Sequence, residues 1–185
     1  MRLVIGISGA SGAIFGVEFL KRCPADEKFV ILSRWGRHLL KTEAGLAPDD
    51  LAPYAKKLYA TDDLSAPFAS GSNPFDAMVI MPCSVATLGK IANGISDNLL
   101  TRAAEVALKE RRKLILAVRE TPLSSIALEN ALKLSREGVM IMPISPPFYT
   151  QPHTLEEMVQ SFVDKVIGSL GFSVSTTGWR ASELD

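Results

Sequence analysis

A short apolar run at residues 3–7 leads directly into a turn of small residues and then into a helical pattern. The run Leu3–Ile7 has the β-favouring composition and the length of a buried strand. It is followed by Ser8-Gly9-Ala10-Ser11-Gly12-Ala13, and apolar residues then recur at helical spacing from Ile14 to Leu20. The pattern predicts a strand, a tight turn and a helix, a unit typical of α/β proteins.

The glycines of this stretch match neither common phosphate-binding motif. Gly6, Gly9 and Gly12 lack the G-x-G-x-x-G spacing, and no lysine follows Gly12 as it does in a P-loop. A helix that begins here nevertheless offers unpaired N–H groups and the positive end of its dipole, which suit a phosphate. The hydroxyls of Ser8 and Ser11 can also donate to a phosphate or a flavin edge. Taken alone, the stretch is either such a site or an ordinary tight turn.

Apolar runs and helical patterns alternate along the whole chain. Near-continuous apolar strands separated by helices are typical of a parallel sheet covered on both faces. We therefore predict a doubly wound, Rossmann-like α/β fold with three α/β/α layers and a mostly parallel six-stranded sheet, in one domain at 1–172 with a polar tail at 173–185. Pro82 is expected to end the fourth strand, and Thr121-Pro122 to begin a helix. The predicted strands are 3–7, 29–33, 57–60, 77–81, 114–118 and 139–143, and the predicted helices are 13–22, 35–43, 84–93, 98–112, 121–136 and 154–170.

Composition excludes several classes of function. The 20 basic and 20 acidic side chains balance, so no nucleic-acid surface is predicted. Cys23 and Cys83 form no C-x-x-C pair, and we expect neither a disulfide framework nor a metal site. No apolar run is long enough to span a membrane, and no signal-like region precedes the first strand, which predicts a soluble cytoplasmic protein. The 47% of hydrophobic residues favours association between copies of the chain.

The residues that follow each strand are the first candidates for a binding site. In doubly wound sheets, ligands bind beyond the carboxyl ends of the strands. This places Ser33, Arg119 and Glu120 among the candidates, together with the segments 8–11, 82–84 and 146–149. The long connection at 61–76, rich in small polar residues, is a candidate functional loop.

Several short motifs occur together and in order along residues 2–171. The chain closely resembles the UbiX-type flavin prenyltransferases, which have also been described as small subunits of aromatic acid decarboxylases. The resemblance implies a metal-independent transferase that joins the dimethylallyl group of dimethylallyl phosphate to N5 and C6 of reduced FMN. The product, prenylated FMN, would be the cofactor of a UbiD-type decarboxylase, and the enzyme would be a homododecamer. The motifs are Gly9-Ala10-Ser11-Gly12, Met81-Pro82-Cys83-Ser84 with Thr87, Arg102-Ala103-Ala104 with Lys109-Glu110, Arg119-Glu120 with Pro122, Glu129-Asn130 and Phe148-Tyr149.

The resemblance also implies the roles of individual residues. Ser11 would lie close to the reactive N5 of the flavin, and Tyr149 and Lys165 would bind the prenyl phosphate. Catalytic roles fall to Ser11, Glu43, Lys109 and Glu120. The other FMN contacts would be Gly9, Ala10, Ser33, Ser84, Val85, Ala86, Thr87 and Arg119, and Arg102, Lys109, Arg119 and Glu120 would surround the prenyl phosphate, partly from neighbouring subunits.

The implied chemistry suits these residue types. Cations such as Lys109, Lys165 and Arg119 would stabilise the phosphate that departs, and the carboxyl group of Glu120 would exchange a proton with it. Each residue also has a purely structural interpretation. Ser84 would cap a helix, Lys109 would be a solvated helix end, Arg119 and Glu120 would form an exposed ion pair, Glu43 would be a surface carboxylate and Tyr149 a packed loop aromatic. We expect Cys83 to be a small buried residue. The order Trp179-Arg180 departs from the Arg-Trp pair expected near the C-terminus of the family, so Trp179 receives no role.

Three other functions are alternatives to this interpretation. A flavin-dependent cysteine decarboxylase would carry a histidine after the first strand–helix turn and a Pro-x-Met-Asn segment, and the chain has neither. An NAD dehydrogenase is disfavoured by the glycine spacing and by Ser33-Arg34, where an acidic residue would be needed. A non-catalytic FMN-binding subunit of a decarboxylase stays open, although Glu120, Lys109 and Tyr149 favour catalysis.

Overall fold

Six parallel strands form one sheet in the computed structural model, which describes residues 1–174. Every neighbouring pair of strands is parallel, as predicted from the apolar runs. The order across the sheet is β3-β2-β1-β4-β5-β6, so the direction of winding reverses between β1 and β4. The strands are β1 (Arg2–Ile7), β2 (Glu27–Leu32), β3 (Lys57–Ala60), β4 (Ala77–Cys83), β5 (Lys113–Val118) and β6 (Met140–Pro143).

Helices cover both faces of the sheet and complete the three layers. The helices are α1 (Ala13–Arg22), α2 (Arg34–Ala44), α3 (Val85–Ala92), α4 (Leu99–Lys109), α5 (Ser125–Arg136) and α6 (Leu155–Ser169), with 3₁₀ turns at Pro48–Tyr54 and Pro67–Ala69. One apolar core lies between the sheet and α1 and α6, and the second lies between the sheet and α3, α4 and α5. Alternate residues of β1 enter the two cores, since Leu3 and Ile5 belong to the first and Val4 to the second. The predicted doubly wound fold is confirmed.

Several predicted boundaries are wrong: β2 begins at Glu27 and not at residue 29, α4 ends at Lys109 and not at residue 112, and two further errors involve proline. β4 continues through Pro82 to Cys83. The carbonyl of Pro82 accepts the backbone N–H of Ser8, and the register of β4 on β5 shifts between Ile80 and Cys83. Helix α5 begins at Ser125 and not at Thr121-Pro122.

The start of α5 is set by a side-chain cap. The hydroxyl of Ser124 accepts the N–H of Ala127 and satisfies one of the first free donors of the helix. Thr154 and Glu157 form the predicted capping box of α6. Residues 175–185, which include Trp179 and most of the predicted tail, lie outside the described residues. No helix within residues 1–174 is long and apolar enough to cross a membrane.

Candidate functional site

The reversal of winding opens a crevice at the carboxyl ends of β1 and β4. In folds with this strand order, ligands bind at that point. The turn Ser8–Gly12 follows β1, and Ser84 follows β4 at the start of α3. Arg119 follows β5, and its backbone N–H donates to the carbonyl of Cys83 over 3.1 Å. The main segments that the sequence placed at the flavin therefore lie beside one another.

The side chain of Glu43 caps the amino terminus of α1. One carboxylate oxygen accepts the N–H of Gly12 at 2.8 Å and the N–H of Ala13 at 3.1 Å. Gly12 adopts φ +97°, a left-handed conformation that favours glycine. A phosphate at the start of α1 would need these same N–H donors. The carboxylate of Glu43 occupies them instead. Glu43 is exposed, as the structural interpretation predicts, but it is also part of the site, because it reaches the start of α1 from the last turn of α2.

The charge of Glu43 is stabilised by its surroundings. Burial raises the pKa of its carboxyl group, but hydrogen bonds from the Ser11 hydroxyl and from the two backbone N–H groups, with the nearby charge of Arg119, outweigh that effect and hold the pKa below its usual value. Glu43 is therefore ionised at neutral pH. The Ser11 hydroxyl donates its proton towards Glu43, which leaves the oxygen of Ser11 as an acceptor for a ligand.

The start of α3 keeps donors available for an anion. The hydroxyl of Ser84 caps the helix by accepting the N–H of Thr87 at 3.2 Å, as the sequence predicts. The first intrahelical bond runs from Leu88 N to the carbonyl of Ser84. Helix geometry therefore leaves the N–H groups of Val85 and Ala86 without an intrahelical acceptor. With the hydroxyl of Thr87 nearby, this terminus fits the phosphate of FMN better than α1 does.

Ser33 and Gly9 occupy the β2 side of the crevice. The hydroxyl oxygen of Ser33 caps α2 by accepting the N–H of Gly36 at 2.8 Å. A Cβ atom on Gly9 would lie 2.5 Å from Cβ of Trp35, so this position requires glycine for the packing of Trp35. Trp35 is 63% exposed beside the turn, and no sequence pattern marks it as a site residue.

Tyr149 and Lys165 line one cavity of about 830 Å³ between β6, the loop that follows it and α6. Lys165 follows Asp164, whose buried carboxylate accepts the guanidinium of Arg22 at 2.7 Å. This ion pair joins α6 to α1. Tyr149 and Lys165 thus line the same cavity.

Arg102 and Lys109 lie on α4, on the face of the sheet opposite to α1. Arg102 donates to the carbonyl of Ala69 at 2.9 Å and pairs with Glu105. Helix α4 runs from the carboxyl edge, where Leu99 N donates to Thr61 O, towards the start of β5. Lys109 is thus near the amino edge of the sheet and pairs there with Glu110. The connection at 61–76 starts at the carboxyl edge after β3, packs against α4 and ends at the amino edge before β4.

Glu120 and Cys83, which follow or end strands β5 and β4, differ in their exposure. Glu120 is exposed after β5, and one of its carboxylate oxygens accepts the N–H of Thr121 at 3.0 Å. Among residues 1–174, no ion pair joins Arg119 to Glu120, so that structural alternative is wrong. Cys83 is fully buried, as predicted, and burial raises the pKa of its thiol to about 12.

Comparisons with known proteins agree with this geometry. The Flavoprotein family model matches residues 1–170. Flavin prenyltransferase UbiX of Thermoplasma acidophilum is 45% identical over 171 residues, covering 92% of this chain and 95% of that protein. A dodecameric FMN-dependent UbiX-like decarboxylase from Escherichia coli O157:H7 superposes with a TM-score of 0.94 at 38% identity, covering 97% of this chain and 100% of that one.

A second solved structure carries ligands. AnUbiX, solved in complex with FMN and dimethylallyl pyrophosphate, has a TM-score of 0.92 and 34% identity, and the match covers 97% of this chain and 98% of that one. The likeness in both sequence and structure therefore extends over nearly the whole chain. The chain therefore belongs to the flavoprotein family and, within it, to the UbiX-type flavin prenyltransferases.

Proposed function

We propose that this protein joins the dimethylallyl group of dimethylallyl phosphate to N5 and C6 of reduced FMN, which makes prenylated FMN. The observation that carries the proposal is the convergence of Ser11, Glu43 and Arg119 at the point where the winding of the sheet reverses. The ligands named for AnUbiX and the activity named for the Thermoplasma relative support it.

FMN is placed across the crevice, with its ring beside Gly9–Ser11 and its phosphate at the start of α3. The internal carboxylate of Glu43 disfavours a phosphate at α1, since two like charges would compete for the same N–H groups. The uncapped N–H groups of Val85 and Ala86 and the hydroxyl of Thr87 favour one at α3. Ser33 and Arg119 complete the FMN contacts expected from the sequence.

Ser11 and Glu43 remove the proton from N5 of the flavin ring. Reduced FMN supplies the nucleophilic N5 and C6. Because the Ser11 hydroxyl donates to the ionised Glu43, its oxygen accepts from the N5–H group. When N5 bonds to the prenyl carbon, Ser11 takes that proton and passes its own to Glu43.

The donor phosphate lies between the crevice and the cavity of Tyr149 and Lys165. The C–O bond of dimethylallyl phosphate breaks, and the phosphate leaves with the electron pair. Lys165 and Arg119 stabilise its charge, while Glu120 donates a proton to the phosphate oxygen. The released phosphate accepts the proton lost when the second bond forms at C6.

The site is completed by another copy of the chain. Arg102 and Lys109 lie on α4, on the face of the sheet opposite to α1 and α2, and the Escherichia coli neighbour is dodecameric. Helix α5 also exposes Ile126, Leu128 and Leu132, an apolar set typical of a protein interface. We therefore assign the same assembly to this chain, with Lys109 reaching the prenyl phosphate of a neighbour. A UbiD-type decarboxylase as recipient and a cytoplasmic location stay predictions.

A mass measurement tests the activity. The protein is mixed with FMN, reduced without oxygen and given dimethylallyl phosphate, and the flavin released by denaturation is weighed. The expected product is heavier by one C5H8 unit, and Glu120→Gln is expected to abolish or greatly slow its formation. Glu156→Gln, an exposed carboxylate in the first turn of α6, is the matched control and should leave the rate unchanged. Unmodified flavin, with the pyrophosphate and longer prenyl donors also tried, would support a non-catalytic FMN-binding subunit instead.

A further inference from the structure

The hydroxyl of Ser8 joins the two segments assigned to FMN. Ser8 is 1% exposed and follows β1 directly. Its Oγ donates to the carbonyl of Pro82 over 2.9 Å and accepts the backbone N–H of Ser84 over 2.8 Å. Its own backbone N–H also donates to Pro82 over 3.2 Å. The sequence allowed the Ser8 hydroxyl to face a ligand. In the structure it instead connects the end of β1 to the start of α3.

The side chain is needed here because the backbone ladder cannot continue. Paired residues of β1 and β4 extend to Gly6 and Ile80. Pro82 then has no N–H to give to β1, so one rung of the ladder is missing. The Ser8 hydroxyl bridges this gap and captures the N–H of Ser84, which would otherwise be a half-buried donor with no acceptor from β1.

The bridge reaches residues that contact both ends of the proposed ligand. On one side, Ser8 precedes Gly9–Ser11, assigned to the flavin ring. On the other, it fixes the backbone of Ser84, whose own hydroxyl caps α3 and bonds the hydroxyl of Thr87. A shift at Ser84 would therefore move the helix terminus assigned to the phosphate relative to the turn assigned to the ring.

We propose that Ser8 is a positioning residue for FMN. Its hydroxyl sets the distance between Gly9–Ser11 and the start of α3, so that the ring and the phosphate of one FMN molecule are held together. The inference rests on the proposed placement of FMN across these two segments. It assigns Ser8 no contact with the flavin, the prenyl donor or a transferred proton.

The affinities for FMN and for riboflavin, the same flavin without its phosphate, test the inference. Dissociation constants for FMN and riboflavin are determined by fluorescence quenching on the wild type, Ser8→Ala and Ser8→Thr. Wild type is expected to prefer FMN. Ser8→Ala is expected to weaken FMN binding by about tenfold and to reduce the preference for FMN by a similar factor, because the two binding segments are no longer aligned. Ser8→Thr keeps the hydroxyl, so its FMN affinity and its preference for FMN over riboflavin should match those of the wild type.

A merely structural loss of stability would leave the ratio of the two constants unchanged. Thr101→Val is the matched control, since Thr101 is 2% exposed and its hydroxyl bonds the carbonyl of Asn98 away from the crevice. It should lower the melting temperature without changing the ratio. If Ser8→Ala does not fold, Ser8→Cys replaces it, because a thiol is a weak acceptor and should reduce the preference in the same way.

Two results would overturn the inference. The first is a wild-type ratio in folded Ser8→Ala or Ser8→Cys, which includes an equal weakening of FMN and riboflavin binding. The second is a folded Ser8→Thr whose ratio differs from that of the wild type. A wild-type protein with no preference for FMN would instead refute the placement of the phosphate, and the inference with it. The mass measurement on prenyl transfer is independent of these results.

Discussion

The carboxylate of Glu43 takes the place of an anion at the amino terminus of α1, where it accepts the N–H of Gly12 at 2.8 Å. A turn of glycine and serine before a helix usually indicates a phosphate site, and here the same donors hold a side chain. Because the carboxylate also accepts the hydroxyl of Ser11, one residue of α2 orients both the helix and the serine assigned to the flavin.

Glu43→Gln is expected to impair catalysis far more than folding. The amide keeps one acceptor oxygen but loses the charge that favours donation by Ser11 and the helix terminus. We expect prenyl transfer to slow by about a hundredfold or more. The free energy of unfolding should fall by roughly 0.3–1 kcal/mol. Single-turnover rates and urea unfolding measure the two effects, and a large loss of stability with normal turnover would contradict the assignment.

The stability that the Glu43 carboxylate contributes is expected to decrease in acid. Hydrogen bonds from Ser11 and two backbone N–H groups, with the charge of Arg119, outweigh burial and lower its pKa in the folded protein. Such a group stabilises the fold while ionised, so its contribution is complete above the ordinary value of 4.5 and is lost as the pH falls through the lowered pKa. Urea unfolding of wild type and Glu43→Gln between pH 7 and pH 3 should show a difference that shrinks towards acid.

A negatively charged residue that still caps α3 tests the position assigned to the FMN phosphate. Aspartate caps helices as well as serine does, so Ser84→Asp should leave the stability of α3 nearly unchanged. Its charge would repel a phosphate, and we expect FMN affinity to fall by about tenfold or more while riboflavin affinity changes little. Asn98→Asp also places an aspartate at a helix cap, that of α4. It is the control and should affect neither flavin, although it costs the hydrogen bond from the Asn98 amide to Asp97. Unchanged FMN affinity in Ser84→Asp would place the phosphate elsewhere.

The fold was predictable because its signals are local. Apolar runs of strand length alternate with helical patterns, and Thr154 and Glu157 carry a complete capping box. The proline errors have a physical origin. Pro82 lacks a donor, but its carbonyl still accepts from Ser8, so the strand continues on that side. At α5, the Ser124 hydroxyl provides a better start than Pro122.

The site was predictable only in part, because its contacts join distant segments. Residue types after the strands indicated Ser11, Ser84 and Arg119. Nothing in the sequence distinguishes the buried hydroxyl of Ser8 from the ligand-facing one of Ser11, since the difference depends on the register of β4 beside β1. Resemblance to a family also transfers the identity of Lys109 without saying which copy of the chain supplies it.

The thiol of Cys83 is expected to be inert in the folded protein. The side chain is fully buried, and burial raises its pKa to about 12, so at pH 8 only about one molecule in ten thousand carries the thiolate. Burial also raises the pKa of Cys23, which is 2% exposed. Iodoacetamide should label neither cysteine of the native protein and both after unfolding, as read by peptide mass. Rapid native labelling of Cys83 would show that the crevice opens.

Complementation between two inactive variants tests whether Lys109 serves a neighbouring site. Lys109→Ala should lose its cation at the prenyl phosphate, and Glu43→Gln should lose the flavin-side carboxylate. If each site combines Glu43 of one copy with Lys109 of another, co-expression of the two variants rebuilds some sites with both native residues. Random assembly is then expected to restore about a quarter of the wild-type activity per site.

If Lys109 acted on the site of its own chain, no mixed assembly would contain an intact site and activity would stay at the level of the single variants. Leu132→Glu, a charge on the exposed face of α5, is expected to reduce both the size of the assembly and its activity, because a buried unpaired carboxylate opposes association. Light scattering gives the size and the mass measurement gives the activity. An active monomer of Leu132→Glu would place Lys109 outside the reaction, since in one chain it lies at the amino edge of the sheet, far from the crevice of Glu43.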